Sequence, residues 1–247
     1  MDYFLTIAAS DNSGGAGIQQ DIKVSYELGY WPLSAISGIT VQDFKNVYVV
    51  EAVKPSLLQL QINRCLQSFP VKAIKIGAIC SKENLNVIVD CLKNNSMPNI
   101  VLDTVLSSTG GTPFLDASSI LIMEKDLFPL CKLITPNKQE FEKLVNSEID
   151  TIEEGVEIAQ VKCNEWNTAI LLKGGHFKGE KLKEALITKN EVFFFEREWN
   201  NFTYSHGTGC TLSSAIACFL GKGESLKGAY IKAINYLVEH FKNLYQL

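Results

Sequence analysis

The chain has 247 residues, of which 46% are hydrophobic and 20% are charged, and its formal net charge is −4. This composition excludes a disordered chain, a collagen and a coiled coil, and the length suits one α/β domain over residues 1–247. A mildly acidic balance without a basic block argues against a nucleic-acid or membrane-surface partner. The N-terminus lacks a basic region, and the longest stretch without charge, Trp199–Gly221, is polar in its first half, so we expect a cytoplasmic protein.

Seven cysteines are scattered along the chain without a C-x-x-C pair. An odd number of unclustered cysteines without a secretory signal favours reduced thiols over disulfides. We expect most of them to be small core residues. The three histidines are not spaced with the cysteines as in a zinc site, so we expect no structural metal.

Short β-rich runs alternate with amphipathic helical patterns along the chain. The predicted strands cover residues 3–9, 33–41, 47–53, 71–79, 99–105, 131–136, 168–175 and 191–196. The predicted helices have recognisable starts and faces: a cap at Ser81 with the apolar face Leu85, Ile88, Val89 and Leu92, a capping box of Thr151 and Glu154, and a face from Ser225 to Leu244. Apolar strands separated by helices predict a mostly parallel sheet covered on both sides, that is, a three-layer α/β/α domain.

The strongest sign of function is the segment S-H-G-T-G-C-T (205–211), which leads into a small, apolar helix. Gly207 and Gly209 let backbone N–H groups converge on an anion, and the helix dipole adds about half a positive charge there. Such a site stabilises a transferring phosphoryl group. Cys210 lies at the same helix start, a position that lowers the pKa of a thiol. The alternative interpretation is a tight turn in which Cys210 only fills space.

A second loop, residues 10–17, looks like a phosphate loop but fits neither common motif. No Gly-Lys-Ser/Thr follows it, and Gln20 stands where a dinucleotide fingerprint has Gly or Ala. Its glycines let the backbone approach a small ligand closely, although a plain strand-to-helix turn would have the same composition. Gln42 follows the strand over 33–41 and offers one donor beside one acceptor, which matches an aminopyrimidine edge. A loop glutamine is otherwise simply solvated.

Polar side chains follow three further strands, at the sheet edge where α/β proteins bind ligands. Asp103 ends one strand, and Asn137 and Glu140 follow the next one on one face of a new helix. Carboxylates at this edge suit a water-coordinated Mg²⁺ near phosphates. The alternative is an N-cap at Asn137 with a solvated Glu140. Lys173 ends a third strand and is placed to neutralise phosphoryl oxygens, unless it is an ordinary surface lysine.

Together these segments resemble the hydroxymethylpyrimidine/phosphomethylpyrimidine kinases of the ribokinase-like superfamily. The matching segments span nearly the whole chain: IAASDNSGGAGIQQDIK (7–23), SAISGITVQ (34–42), VKAIKIGAI (71–79), VLD (101–103), LITPNKQE (133–140), LLKGGH (171–176) and SHGTGCTLSSAIA (205–217). The resemblance implies a ribokinase-like α/β/α sandwich, a homodimer, and transfer of the ATP γ-phosphate to 4-amino-5-hydroxymethyl-2-methylpyrimidine. A second phosphorylation then supplies thiamine biosynthesis.

The resemblance also implies roles for the matching residues on the phosphate side. Cys210 would be the base that accepts the proton of the hydroxymethyl group, since relatives that act on sugars have Asp at this position. The backbone of Gly207 and Gly209 would form the anion hole, and Thr208, Lys173 and Asn137 would contact ATP. Asp103 and Glu140 would hold Mg²⁺ through water.

On the substrate side, the resemblance implies that Gln42 reads the pyrimidine and that Gly17 and Asp21 belong to the substrate loop. Two positions depart from the family pattern. Thr104 replaces the usual Pro after Asp103, and Ala78 replaces the usual Met after Ile-Gly. Loss of the Met side chain should enlarge or reshape the substrate pocket.

Two alternatives to the pyrimidine kinase follow from these departures. A pyridoxal kinase would use the same chemistry on a primary hydroxymethyl group, and Ala78 would make room for a bulkier ring. The other alternative is a pyrimidine- or vitamin-binding sensor on a kinase scaffold without catalysis. The retained phosphate-side residues argue against that sensor.

Overall fold

The computed structural model describes residues 1–95, 97, 99–107, 114–175, 177, 181–199, 202 and 206–243. Within these ranges nine strands form one sheet: β1 Tyr3–Asp11, β2 Trp31–Gln42, β3 Val47–Ala52, β4 Val71–Ile76, β5 Ile100–Leu102, β6 Leu133–Ile134, β7 Ala169–Leu172, β8 Leu182–Ile187 and β9 Val192–Arg197. The helices are α1 Gly17–Glu27, α2 Pro55–Ser68, α3 Lys82–Lys93, α4 Ala117–Ile122, α5 Lys138–Val145, α6 Ile152–Glu165, α7 Thr208–Gly221 and α8 Leu226–Asn243.

The sheet is mostly parallel, with strand order β3-β2-β1-β4-β5-β6-β7-β8-β9. The five pairings from β2 through β1, β4, β5 and β6 to β7 are parallel, whereas β3, β8 and β9 add antiparallel edges. From β1 the chain goes to β2 on one side and later to β4 on the other. Such a switch point opens a crevice at the carboxyl ends of the strands, where ligands bind in this class of sheet.

Two apolar cores cover the two faces of the sheet. The side chains of β1 lie alternately in the two cores: Leu5 and Ile7 belong to one core and Phe4 belongs to the other. Helices α2 to α6 cover the first face, and α1, α7 and α8 cover the second. The predicted three-layer α/β/α arrangement is confirmed. No helix of the described residues is long and apolar enough to span a bilayer.

The predicted helix starts agree with the structure at Ser81 and in part at Thr151. The Ser81 side chain accepts a hydrogen bond from the N–H of Asn84, and the predicted apolar face of α3 is buried. The Thr151 hydroxyl accepts from the N–H of Glu154, but the Glu154 carboxylate accepts from the N–H of Asp150. The reciprocal box predicted at Thr151 is therefore wrong. The predicted face of α8 reaches Leu244, which lies outside the described residues.

One strand escapes sequence-based prediction. Strand β8 reads L-K-E-A-L-I, composed mainly of residues with good helix propensity. It pairs antiparallel with β7 on one side and with β9 on the other, and all of its residues except Lys183 are buried. The sheet imposes the extended conformation, because local preference is weaker than two strand pairings and burial.

The cysteines are all free thiols, as predicted. Four of them, Cys91, Cys131, Cys163 and Cys218, are buried among apolar side chains. Burial raises the pKa of each of these thiols. They are core residues, whereas Cys65, Cys80 and Cys210 are partly exposed.

Candidate active site

A cavity of about 580 Å³ opens at the carboxyl ends of the parallel strands. Every predicted site residue except Asp21 lines it: Gly17, Gln42, Ala78, Asp103, Asn137, Glu140, Lys173, Gly207, Thr208, Gly209 and Cys210. These residues come from the ends of the six parallel strands β1, β2, β4, β5, β6 and β7, from the segments that follow those strands, and from the start of α7. Sequence reasoning located them separately, and the sheet brings them together. Ser205 and His176 of the matching motifs lie outside the described residues.

The start of α7 has the geometry predicted for an anion site. Gly207 is the N-cap with φ 83°, and a Cβ placed there would lie within 3.0 Å of the Gly15 carbonyl oxygen. Only glycine fits, because both the backbone angle and the space exclude a side chain. The loop 206–209 therefore packs directly on the N-terminal loop. The first turn of α7 directs its N–H groups and the positive end of its dipole at the cavity.

Lys173 lies between two carboxylates at this anion site. Its Nζ is 3.1 Å from Oδ1 of Asp103 and 3.9 Å from Oε2 of Glu140. Gly209 passes beside the pair, since a Cβ on it would lie 3.6 Å from Asp103 and 3.7 Å from Lys173. Burial alone would lower the pKa of Lys173, but the two carboxylates outweigh it and raise the pKa to about 12. Lys173 is thus a charged, largely buried cation, and not a surface lysine.

Asp103 is held in its ionised form. It is 2% exposed and accepts hydrogen bonds from Thr135, Lys173 and Ser213. Burial opposes ionisation, yet the charges of Lys173 and Lys75 and these hydrogen bonds hold its carboxyl pKa below the ordinary value. The carboxylate keeps its charge at the edge of the cavity.

Glu140 is anchored by the start of α5. Its Oε2 accepts from the N–H of Asn137, the Asn137 Oδ1 accepts from the N–H of Glu140, and this pair forms a capping box. The N-cap predicted at Asn137 is confirmed, but the alternative of a solvated Glu140 is wrong, because this side chain is buried. Burial and the nearby Asp103 charge raise its carboxyl pKa despite Lys173.

Thr104 contacts Glu140 and does not line the cavity. Its side chain is fully buried, and its hydroxyl donates to Oε2 of Glu140 at 3.2 Å. The departure from the family pattern at this position therefore affects a carboxylate of the phosphate side. Ala78 does line the cavity, as the substrate-pocket expectation requires.

Cys210 lies in the first turn of α7 and contacts both loops of the site. The N–H of Gly17 donates to its sulfur, and Lys75 attracts its ionised form. Burial has the larger effect and raises the pKa of the thiol to about 11. The prediction of a lowered pKa, made from the helix N-terminus alone, is wrong because desolvation disfavours the thiolate more than these groups favour it.

Gln42 ends β2 at the other side of the cavity. Its N–H donates to Oδ1 of Asn12 at 2.7 Å. Its side-chain amide is near enough to Asp11 to contribute to the lowered pKa of that carboxyl. Gln42 is half-buried and lines the cavity.

Asp21 is not a cavity residue. It is fully buried on α1, and its two carboxylate oxygens lie 2.8 and 2.9 Å from Nζ of Lys75. Thr6 and Ser214 also donate to it. The resemblance implied that Asp21 belongs to the substrate loop, but the structure places its carboxylate in the interior, against Lys75, and not at the cavity wall.

Three residues that line the cavity were not predicted as site residues: Asp11, His206 and Lys75. Nε2 of His206 lies 3.0 Å from Oδ2 of Asp11, and this contact ties the two glycine-rich loops together. Burial opposes ionisation of Asp11, but hydrogen bonds from His206, Ser13 and Gln42 outweigh it and hold its pKa well below 3.8. Asp11 ends a buried strand as Asp103 does, so the same rule would have found it.

Apolar side chains also line the cavity: Leu182, Trp199, Phe202, Leu212 and Leu237. The ion pair of Glu184 and Arg197, on β8 and β9, lines it as well. Leu182 and Glu184 belong to the undetected strand β8, which is why sequence analysis missed this part of the wall. Apolar and aromatic side chains in the same cavity as a helix N-terminus suit a planar base attached to phosphates.

The described residues place no group of three or more His, Cys, Asp or Glu side chains around one metal position. Any metal at Asp103 and Glu140 would therefore take most of its ligands from water or from a bound phosphate.

Comparison with known proteins identifies the family. The family model described as phosphomethylpyrimidine kinase matches residues 11–247. This chain belongs to the phosphomethylpyrimidine kinase family. It is 31% identical over 239 residues to a hydroxymethylpyrimidine/phosphomethylpyrimidine kinase of Aquifex aeolicus, covering 97% of this chain and 94% of that relative.

Solved structures of the family and of its neighbours share the fold. The crystal structure of a phosphomethylpyrimidine kinase from Clostridium difficile superposes with a TM-score of 0.86 at 32% identity, covering 97% of this chain and 99% of that one. The ADP complex of Bacillus subtilis pyridoxal kinase superposes with a TM-score of 0.88 at 29% identity, covering 95% and 90%. The sheet and its helices are thus the ribokinase-like sandwich that the resemblance implied.

Proposed function

We propose that this protein is an ATP-dependent kinase that phosphorylates 4-amino-5-hydroxymethyl-2-methylpyrimidine and then its monophosphate, in thiamine biosynthesis. The position of Cys210 is the observation that carries the proposal. Its sulfur accepts a hydrogen bond from Gly17 of the substrate loop, and the adjacent Gly209 borders Lys173 and Asp103. One cavity therefore joins an acceptor end, a base and a phosphate end.

The acceptor end fits a small aromatic ring with an amine. Gln42 presents its amide at the wall, and Ala78 and Val105 add apolar surface. An amide pairs with an exocyclic amine and the adjacent ring nitrogen, since it offers both an acceptor and a donor. The hydroxymethyl group of the ring would then point toward Cys210 and the start of α7.

The phosphate end fits ATP. The backbone of Gly207 and Gly209, the helix dipole and Lys173 provide positive potential for the γ-phosphate, and Thr208 and Asn137 line the same region. The apolar side chains of the cavity wall, Trp199 and Phe202 among them, would contact the base. The ADP complex of the Bacillus subtilis relative supports this assignment.

The donor set of Asp103 and Glu140 fits Mg²⁺. One lysine between two carboxylates leaves one negative charge unbalanced, and carboxylate oxygens are preferred Mg²⁺ ligands. These two side chains would hold the ion through water. When bound, Mg²⁺ supplies positive charge that offsets the charge of the triphosphate.

In the first transfer, the proton of the hydroxymethyl group goes to Sγ of Cys210 while its oxygen bonds to the γ-phosphorus. The bond from phosphorus to the bridging oxygen breaks, and ADP leaves. Lys173 and the α7 N–H groups stabilise the charge on the transferring group. A pKa of about 11 keeps Cys210 mostly protonated near neutral pH, so the first transfer should accelerate as pH rises.

The second transfer differs chemically. Its acceptor is a phosphate monoester, which is mostly ionised at neutral pH because its second pKa is about 6. No base is needed to generate the nucleophile. We therefore expect Cys210 to matter much more for the first transfer than for the second.

A pyridoxal kinase is the second candidate function. The likeness to the Bacillus subtilis enzyme and the small Ala78 in the cavity wall favour it. A sensor without catalysis is disfavoured, because Lys173, Glu140 and the Gly207–Cys210 turn are all in place.

The homodimer implied by the resemblance is also part of the proposal. The exposed apolar face of β2 and β3, which includes Ile39, Val41 and Val49, supports such an assembly. Light scattering on the purified chain measures its mass directly, and a monomer at micromolar concentration would contradict this part.

The function is tested by initial rates of ADP release with the pyrimidine and with pyridoxal, each with Mg²⁺ and with a chelator. We expect a higher kcat/KM for the pyrimidine and no activity with the chelator. A higher kcat/KM for pyridoxal would select the second candidate. Tight binding of either ring without ADP release would select the sensor.

A further inference from the structure

A buried ion pair lies beneath the cavity and has no role in the mechanism above. Lys75, near the C-terminal end of β4, is 0% exposed and contacts both carboxylate oxygens of Asp21, which is also 0% exposed. Removing two charges from water costs more than their attraction returns unless the geometry is very good, so such a pair is weak evidence for stability. A functional reason for it is worth seeking.

The packing of α1 on α7 places this pair one helical turn from Cys210. The Gly17 N–H donates to the sulfur of Cys210, and one turn further along both helices Ser214 donates to Asp21 at 2.8 Å. Residues four apart lie on the same helix face. Cys210 and Ser214 therefore face the same side of α7, toward Asp21 and its partner Lys75.

We propose that Lys75, oriented by Asp21, is a positioning residue that holds a positive charge beneath Cys210 and stabilises its thiolate. This inference rests on the proposed function, in which Cys210 takes the hydroxymethyl proton. To accept that proton, Cys210 must first be ionised in a pocket from which most water is excluded. A fixed ammonium beneath the sulfur lowers the cost of that ionisation without occupying the substrate site.

The charges that face Cys210 come from four elements. Lys75 on β4 attracts the thiolate, and Lys173 after β7 shares this attraction, whereas Asp21 on α1 and Asp103 after β5 repel it. Burial raises the pKa of Cys210 most, and Lys75 is the largest influence in the opposite direction. Burial would lower the pKa of Lys75, but its carboxylate neighbours and Cys210 outweigh this, so the lysine stays charged.

The test is the rate at which iodoacetamide alkylates Cys210 in the full chain, read by mass spectrometry of the peptide that contains it. Only the thiolate reacts, so below its pKa the rate falls about tenfold for each unit by which the pKa rises. We expect Lys75→Met to slow the reaction about tenfold at pH near 8. The control is Lys72→Met, which removes an exposed lysine from the same strand and should leave the rate unchanged.

Lys75→Met leaves Asp21 buried without its partner, which threatens folding. The double variant Lys75→Met with Asp21→Asn has no unpaired charge, and its amide oxygen still accepts one of the two hydrogen bonds from Thr6 and Ser214. Because it also removes the repulsion between Asp21 and the thiolate, it should react more slowly than the wild type but faster than Lys75→Met. Circular dichroism confirms the fold of each variant before alkylation, and the double variant decides the question if the single one does not fold.

A folded Lys75 variant that alkylates at the wild-type rate would overturn the inference. A parallel pH profile of ADP release should move to higher pH with an unchanged KM for ATP, which a purely structural role would not produce. The alkylation readout is independent of turnover. A slowed alkylation in a protein that fails to phosphorylate the pyrimidine would reject the proposed function and leave the charge pairing intact.

Discussion

Gly207 offers a quantitative test of the anion site, because a single methyl group should damage it. In Gly207→Ala, the new Cβ meets two obstacles: a φ of 83° and the backbone of Gly15, whose carbonyl carbon would lie 3.0 Å away and its oxygen closer still. The left-handed conformation costs roughly 1–2 kcal/mol for a residue with a Cβ. The contact with Gly15 must in addition push the two glycine-rich loops apart by roughly 1 Å.

A displacement of this size has a predictable catalytic effect. About 1 Å of misplacement in a reacting geometry costs about 100-fold in rate. We therefore expect Gly207→Ala to lower kcat/KM for the first transfer about 100-fold, measured by ADP release at fixed Mg²⁺ and ATP. The protein should still fold, because the loops lie at the sheet edge and the two cores are untouched.

Gly223→Ala is the matched control. Gly223 has a φ of 89°, and a Cβ there would meet no atom within 4 Å. It should lose the same roughly 1–2 kcal/mol of stability in urea unfolding and keep wild-type turnover. Normal turnover in Gly207→Ala, or an equal loss of turnover in Gly223→Ala, would refute the assignment of the α7 start as the anion site.

Three further predictions concern single side chains. Cys210→Ala should slow the first phosphorylation about 10²–10⁴-fold and the second far less, as measured with the hydroxymethylpyrimidine and with its monophosphate; equal losses would remove the base role. Gln42→Ala should raise KM for the pyrimidine, and so lower kcat/KM, by a factor that corresponds to about 1–3 kcal/mol of lost binding free energy, with little change in kcat. An unchanged KM would place the ring elsewhere. Asp11 has a lowered pKa, so its ionised form stabilises the fold above the ordinary value of 3.8, and this contribution is lost as pH falls. Asp11→Asn should thus be less stable than the wild type in urea at pH 7, and the difference should begin to shrink as pH falls below the ordinary value of 3.8; a difference that stays constant below this value would contradict the assigned cause.

The sequence was informative where a local rule determines the outcome. Polar residues after buried strands, such as Asp103 and Lys173, meet at one sheet edge because the strands are parallel, so their convergence follows from the strand pattern. Ser81 caps its helix by contacts within four residues. These features depend on sequence-local geometry, and the structure reproduces them.

The features that sequence analysis did not predict correctly are those that residues distant in the chain determine. The direction of the Asp21 side chain is set by Lys75, which is 54 residues away in the chain. The pKa of Cys210 depends on burial by surrounding elements, which outweighs the local effect of the helix start. Strand β8 extends only because β7 and β9 flank it. None of these neighbours can be identified from local spacing.

The central claim is that one cavity transfers two phosphoryl groups in succession to the same pyrimidine. Its most direct test is a time course with ATP, Mg²⁺ and the hydroxymethylpyrimidine, with products weighed by mass spectrometry. The account predicts that the monophosphate appears first and the diphosphate later, with one ADP released for each group added. Release of ADP without a phosphorylated pyrimidine, or phosphorylation of pyridoxal alone, would contradict it.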